Sequence, residues 1–244
     1  MPDFRMIDTG RARLRAAVEG EGPLVIMVHG FPESWYSWRH QIGPIAEAGY
    51  QVAALDVRGY GGSDKPTEVS AYSMQELTGD VAGVAEALAP GGQAILIGHD
   101  WGAPIVWNTA LTRPDVICAV AGLSVPYTGV PQRPFTEIFT ELFTSKGHFF
   151  YQAWFQDVGP PEAEAEADVR DFLRKFYYGI AGEAPDGSWP QKAHGASMLE
   201  GMVDPAVFPA WMSPEDLDYY VAEFEGSGFF GPISRYRNHE RDFA

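Results

Sequence analysis

Cysteine is almost missing. Cys118 is the single one in 244 residues, so no intramolecular disulfide can form and the fold must rest on packing. It lies in the apolar run Ile117-Cys118-Ala119-Val120, which predicts a buried, inert thiol and fits a reducing compartment. Basic residues are scarce too. Seventeen Lys and Arg against 33 Asp and Glu leave a formal charge of −16. That charge repels phosphate backbones and anionic headgroups, which makes nucleic acid and membrane surfaces poor partners. No apolar run approaches the roughly 18 residues that a membrane span needs. Met1 to Gly10 carries Asp3 and Asp8 where a secretion signal has its apolar stretch. These absences predict a soluble, cytoplasmic protein, and neither an internal repeat nor a low-complexity tail is visible.

What is present is enough apolar material, 45% of the chain, to build a sizeable core. Leu24 to Val28, Val52 to Leu55, Ala94 to Ile97 and Val120 to Leu123 are short continuous apolar runs, the pattern of strands buried on both faces. Stretches of helical length lie between them, Trp38 to Ala48 and Met74 to Leu88; in the second, Leu77, Val81, Val84, Ala85 and Leu88 recur at helical spacing. Alternation of this kind predicts an α/β protein with a mostly parallel sheet and helices on both faces. Arg11 to Val18 predicts an earlier, half-exposed antiparallel strand.

The alternation stops near Tyr127. The organisation expected is a core over residues 1–127, an inserted helical cap over 128–232, and the start of a return to the core over 233–244. Within the cap one helix is anticipated from Pro160-Pro161 onward. Glu162, Glu164, Glu166 and Asp168 form a solvated start, favourable at the positive end of the helix dipole, and Val169, Phe172, Leu173, Phe176 and Tyr177 form the apolar face.

The chemistry centres on Gly98-His99-Asp100-Trp101-Gly102, which follows the strand Ala94 to Ile97 and precedes a helix that accepts Pro104 in its first turn. A strand, a sharp turn and a helix make a nucleophile elbow, whose strained central residue needs glycines two before and two after. The central residue here is a carboxylate. Attacking a carbonyl, a carboxylate gives an anhydride; attacking a saturated carbon with a good leaving group, it gives an alkyl ester that water can later cleave. Epoxides and alkyl halides are therefore the natural targets. His29-Gly30-Phe31-Pro32 follows another strand, where an oxyanion-hole loop belongs.

His29-Gly-Phe-Pro-Glu-Ser-Trp-Tyr-Ser-Trp38, Asp56-Val-Arg-Gly-Tyr-Gly-Gly-Ser-Asp64 and Gly98-His-Asp-Trp-Gly102 resemble the epoxide hydrolases of the α/β-hydrolase superfamily, and the likeness spans nearly the whole chain. It implies an α/β-hydrolase fold with an inserted helical cap, in which the last core strands are missing from this chain. It also implies an oxyanion hole of the Phe31 and Trp101 N–H groups, a cis peptide before Pro32, and Asp100 as nucleophile. Phe150-Tyr-Gln-Ala-Trp-Phe-Gln156 and Gly231-Pro-Ile-Ser-Arg-Tyr-Arg-Asn238 resemble the cap segments that supply two tyrosines. By that likeness Tyr151 and Tyr236 donate hydrogen bonds to the epoxide oxygen, as phenols can without being ionised. Trp154 and Phe155, with Pro32, then contact substrate. The aromatics Phe149, Phe150, Phe176, Tyr177 and Tyr178 add to an apolar surface that suits a lipophilic epoxide. The reaction needs neither metal nor organic cofactor.

His99, His29, Asp56 and Arg58 fit structural roles. A base to activate water, with an acid to orient it, is not found: none of the six histidines follows a late core strand. Ending at Ala244 leaves Val120 to Leu123 as an exposed apolar edge, expected of a fragment of a longer polypeptide, or of a chain that pairs with a second copy as a homodimer. Two other readings stand beside epoxide opening. A haloalkane dehalogenase shares the Asp elbow and the following Trp, and a non-catalytic ligand-binding protein on this fold would explain the missing base.

Overall fold

The computed structural model describes residues 2–244. The chain divides into two compact units, 1–130 and 131–244. The first contains β1 (Asp3–Asp8), β2 (Arg13–Glu19), β3 (Leu24–Val28), α1 (Arg39–Glu47), β4 (Gln51–Leu55), α2 (Met74–Leu88), β5 (Ala94–His99), α3 (Gly102–Thr112) and β6 (Ile117–Leu123). The sheet order is β1-β2-β4-β3-β5-β6. β1 and β2 pair antiparallel, as do β2 and β4, while the pairings of β3 with β4 and β5, and of β5 with β6, are parallel. Every residue of β3 is buried, so both faces of the sheet are covered there, which is why its sequence is continuously apolar rather than alternating. β1 carries exposed residues at five of its six positions and has no apolar run, which is why sequence reading passed over it.

The topology sets up the site. From β3 the chain crosses to β4 on one side, and the later strand β5 lies on the other, so β3 and β5 flank a point where strand order reverses. In open α/β sheets such a point opens a crevice beyond the carboxyl ends of the strands. Val28 is in register with Gly98, so the loop after β3 and the turn after β5 leave the sheet side by side.

Cys118 is exposed, contrary to the buried thiol its apolar neighbours predict. β6 pairs with β5 alone among the described residues, and only Ile117 of the strand is fully buried. An edge strand lacks the covering that its sequence would suggest. The apolar edge expected at this strand is observed, with Leu123 43% exposed.

The second unit is helical, with α4 (Phe135–Leu142), α5 (Tyr151–Trp154), α6 (Pro160–Ala167), α7 (Val169–Ile180), α8 (Pro214–Ser227), α9 (Phe230–Ser234) and α10 (His239–Phe243). Residues 239–243 form that last helix, which packs against α4 inside this unit. The single helix expected from Pro160 is two, because Asp168 leaves helical geometry (φ −152°, ψ 93°) and its carboxylate caps the Asp171 N–H. Asp is a good N-cap for the reason that makes it a poor mid-helix residue: its short side chain competes for backbone donors. Val169, Phe172, Leu173, Phe176 and Tyr177 are all buried, as their spacing predicts; Phe172 packs edge-on against Phe229, which stacks on Phe224 at 4.7 Å. Each such side chain contributes about 1.5–3 kcal/mol on burial.

The acidic run is a solvated helix start only in part: Glu166 and Asp168 are exposed, Glu164 is half-buried and Glu162 is buried. Glu162 is only 7% exposed. Glu164 accepts from the Met198 and Leu199 N–H groups at 2.9 and 2.8 Å, and Glu166 accepts from Phe229 N–H at 2.8 Å. These carboxylates tie down loops whose backbone donors would otherwise be unsatisfied. Among the described residues no helix is long and apolar enough to cross a membrane.

Candidate active site

Asp100 lies at the bend between β5 and α3 with φ 50°, a left-handed conformation that costs a non-glycine residue about 1–3 kcal/mol and persists only where the surroundings impose it. The surroundings here are glycines. A Cβ on Gly98 would come within 2.2 Å of the Gly102 carbonyl oxygen, and one on Gly102 within 2.0 Å of the Val28 oxygen. The elbow is thus so tightly seated on the end of β3 that no side chain fits at either flanking position. Gly30 is under the same constraint, since its Cβ would lie 2.4 Å from the Asp100 Cβ and Oδ1.

That close approach brings the loop after β3 onto the carboxylate. The Phe31 N–H donates to Asp100 Oδ1 at 2.9 Å, the Trp101 N–H also bonds to the carboxylate, and the Phe31-Pro32 peptide is cis. Burial pushes the Asp100 carboxyl above its ordinary pKa, and the nearby Glu33 pushes the same way; the two N–H groups, and His99 more weakly, favour the anion. Phe31, Pro32, Asp100 and Trp101 are therefore assembled in the first unit.

Glu33 was not singled out by sequence reading. One of its oxygens accepts from the Gly30 N–H at 2.9 Å and the other meets His99 Nδ1 at 2.8 Å, so this carboxylate joins the loop after β3 to the elbow. The bond to Glu33 raises the His99 pKa against an opposing effect of burial. His29 is buried, with Nδ1 against the Gly30 carbonyl at 2.8 Å and Nε2 accepting from the Val57 N–H at 3.1 Å. Those partners require a neutral ring with its proton on Nδ1, and burial lowers its pKa accordingly. Asp56 accepts from Arg15, the Trp35 N–H and the Gly62 N–H, and Arg58 grips Asp80 with two nitrogens at 2.8 and 2.7 Å. Both are the structural residues their motif implied.

In the second unit Tyr151 starts α5 and Tyr236 lies in a tight helical turn, Arg235–Asn238. Their rings meet edge to face with centroids 5.9 Å apart, and Phe155, 1% exposed, packs against them at 5.7 and 5.0 Å. Trp154 is half-buried. Gln156 donates to the Tyr236 carbonyl at 3.0 Å, and Arg237 donates to the Phe155 carbonyl at 2.9 Å and pairs with Glu162 at 2.5 Å. Segments some 80 residues apart thus hold the two phenols at a fixed spacing. Sequence reading missed Arg237, Glu162, Gln152 and His239, because their partners are distant in the chain.

A model of the α/β hydrolase fold matches residues 23–164. Epoxide hydrolase A of Mycobacterium tuberculosis is 42% identical over 252 residues, covering 99% of this chain and 76% of that protein. An epoxide hydrolase from an endophytic Streptomyces superposes with a TM-score of 0.94 at 44% identity, over 99% of this chain and 73% of that one. The chain belongs to the epoxide hydrolases of the α/β-hydrolase superfamily. It also matches the bifunctional epoxide hydrolase 2 of Sus scrofa, at 37% identity over 95% of this chain and 40% of that protein. The resemblance drawn from the three motifs is thereby borne out.

Among the described residues no group of three or more His, Cys, Asp or Glu could hold a metal ion. The buried histidines of this family member carry a pH signature instead. His239 is buried and its pKa is pushed down to about 4, by burial first and by Arg235 second; His29 is lowered as well. A histidine whose folded pKa is depressed contributes stability that is present above its unfolded value, about 6.5, and lost as pH falls through the folded one. The urea midpoint is therefore expected to fall between pH of about 6.5 and about 4. His239→Phe should flatten part of that slope, and an unchanged slope would rule the assignment out.

Proposed function

We propose that this chain opens a lipophilic epoxide through an alkyl ester of Asp100, the first half of hydrolysis to a vicinal diol. Asp100 Oδ2 forms a bond to a ring carbon while that carbon's bond to the epoxide oxygen breaks. Tyr151 and Tyr236 hydrogen-bond the leaving oxygen, and one of them gives it a proton. In the second half water adds to the ester carbonyl and gives one proton back to the phenolate; the tetrahedral species then collapses by breaking the bond between the carbonyl carbon and Oδ2, the expelled oxygen takes the second proton, and the diol leaves with the carboxylate restored.

The observation that carries this reading is where the backbone donors point. In ordinary acyl transfer the oxyanion hole awaits a substrate carbonyl, but in this reaction the carbonyl is that of Asp100 itself. Phe31 N–H already sits on Oδ1, which is where the charge of the tetrahedral species would develop. On this reading the other oxygen, Oδ2, is the one that attacks. Such donors are worth about 10²–10³-fold each in related chemistry.

The test reads ester formation, so it does not depend on turnover. Incubation with styrene oxide should add one epoxide mass to the protein, located by peptide mapping at Asp100. Tyr151→Phe and Tyr236→Phe should each slow the addition by about 10- to 100-fold. Ester formation from bromoalkanes with halide release, and none from the epoxide, would replace this reading with dehalogenation.

A further inference from the structure

Gln152 lies between two groups of unequal interest. Its side-chain amide nitrogen donates to the Tyr151 hydroxyl oxygen at 2.9 Å, and its amide oxygen meets His239 Nε2 at 3.1 Å. The histidine comes from α10, 87 residues along the chain. We propose that His239, through Gln152, positions the Tyr151 phenol as the proton donor of the proposed ring opening, an inference that rests on that reading of the site.

The argument is one of donor and acceptor counting. A Gln side chain has an acceptor end and a donor end, and the two cannot both face the same way. Turned as found, the amide N–H donates to the phenol oxygen, so the phenol's own proton is not given to Gln152. Turned over, the amide oxygen would take that proton, and Tyr151 would be spent on Gln152. The partner on the other side decides the orientation. An imidazole with its proton on Nε2 can only donate there, and so selects the amide oxygen.

His239 is built to stay neutral. It is 7% exposed and faces the rings of Phe135 and Phe139 of α4 at 5.5 and 6.2 Å. Burial and the adjacent Arg235, itself paired with Asp242 at 2.6 Å, hold its pKa near 4, so the ring is uncharged at neutral pH. An N–H donated to the phenol oxygen also favours the phenolate that proton transfer leaves behind, which strengthens Tyr151 as an acid. Gln152 and His239 touch no reacting atom in this scheme; they are positioning residues.

Two measurements test it on the full chain. The first follows mass addition from styrene oxide under single-turnover conditions. Gln152→Met keeps the length of the side chain but not the donor, and should lower the limiting rate of alkylation by about tenfold, with little change in the epoxide concentration giving half that rate. Gln152→Glu offers the phenol an acceptor and should lower it further. The second is nitrogen-15 NMR of the His239 ring in the unsubstituted protein, where Nε2 should carry the proton. Equal alkylation rates in Gln152→Met, or a ring protonated on Nδ1 instead, would overturn the inference. If the unsubstituted chain forms no ester at all, the proposed function fails, and the ring tautomer alone still decides whether His239 orients Gln152.

Discussion

Asp100→Asn is expected to abolish ester formation, by about four orders of magnitude or more, and at the same time to raise the resistance of the protein to urea at neutral pH. The first effect follows from nucleophilicity, since an amide oxygen does not open an epoxide. The second follows from the environment. Burial raises the folded pKa of Asp100, and a group with a raised pKa contributes stability below its unfolded value that is lost as pH rises through the folded one. Above that range the ionised carboxylate costs stability, which Asn avoids while its oxygen still accepts from Phe31 N–H. The gain should therefore shrink as pH falls toward about 3.9, the unfolded Asp value. Urea titrations of both proteins across this range, with mass spectrometry for the adduct, would check the pair. A variant that is less stable at pH 7, or that still forms the ester, contradicts the account.

Gly102→Ala should be the most damaging single methyl that can be added to the first unit. Its Cβ would meet the Val28 oxygen at 2.0 Å, the Val28 carbonyl carbon at 2.7 Å and the His29 oxygen at 2.9 Å. All of these are backbone atoms at the end of β3, which cannot turn aside as a flexible side chain would. Relief requires α3 and the elbow to move off the sheet, at an expected cost of about 3–5 kcal/mol. Gly98→Ala, with the Gly102 oxygen at 2.2 Å, should cost a similar amount. Gly43 in α1 provides the contrast, because its added Cβ meets nothing within 4 Å. There the better helix propensity of Ala should stabilise by up to about 1 kcal/mol. Equilibrium unfolding of the three variants would show the difference, and near-equal midpoints for Gly102→Ala and Gly43→Ala would refute it.

The elbow was legible because everything it needs is within five residues: a strand, two glycines, a carboxylate and a helix start. The same locality explains the strand Leu24–Val28 and the helix Met74–Leu88, whose bounds the structure reproduces. Misreadings arose where neighbours outside the local stretch decide. Ile117 to Val120 has the composition of a central strand, whereas among the described residues β6 pairs with β5 alone and Cys118 is exposed. The Glu-rich start of α6 has the pattern of a solvated helix, yet Arg237 and the amides of Met198, Leu199 and Phe229 turn its carboxylates into structural acceptors.

By itself the sequence determined the α/β alternation and the glycine-flanked carboxylate of Asp100 between a strand and a helix, because each depends on residue type at short spacing. Only the tertiary structure decided that Phe31 N–H rests on Asp100 Oδ1, that Glu33 joins the loop after β3 to His99, and that His239 reaches Tyr151 through Gln152. Hydrogen bonds are short and directional, so partners tens of residues apart become visible only once the backbone has brought them within about 3 Å.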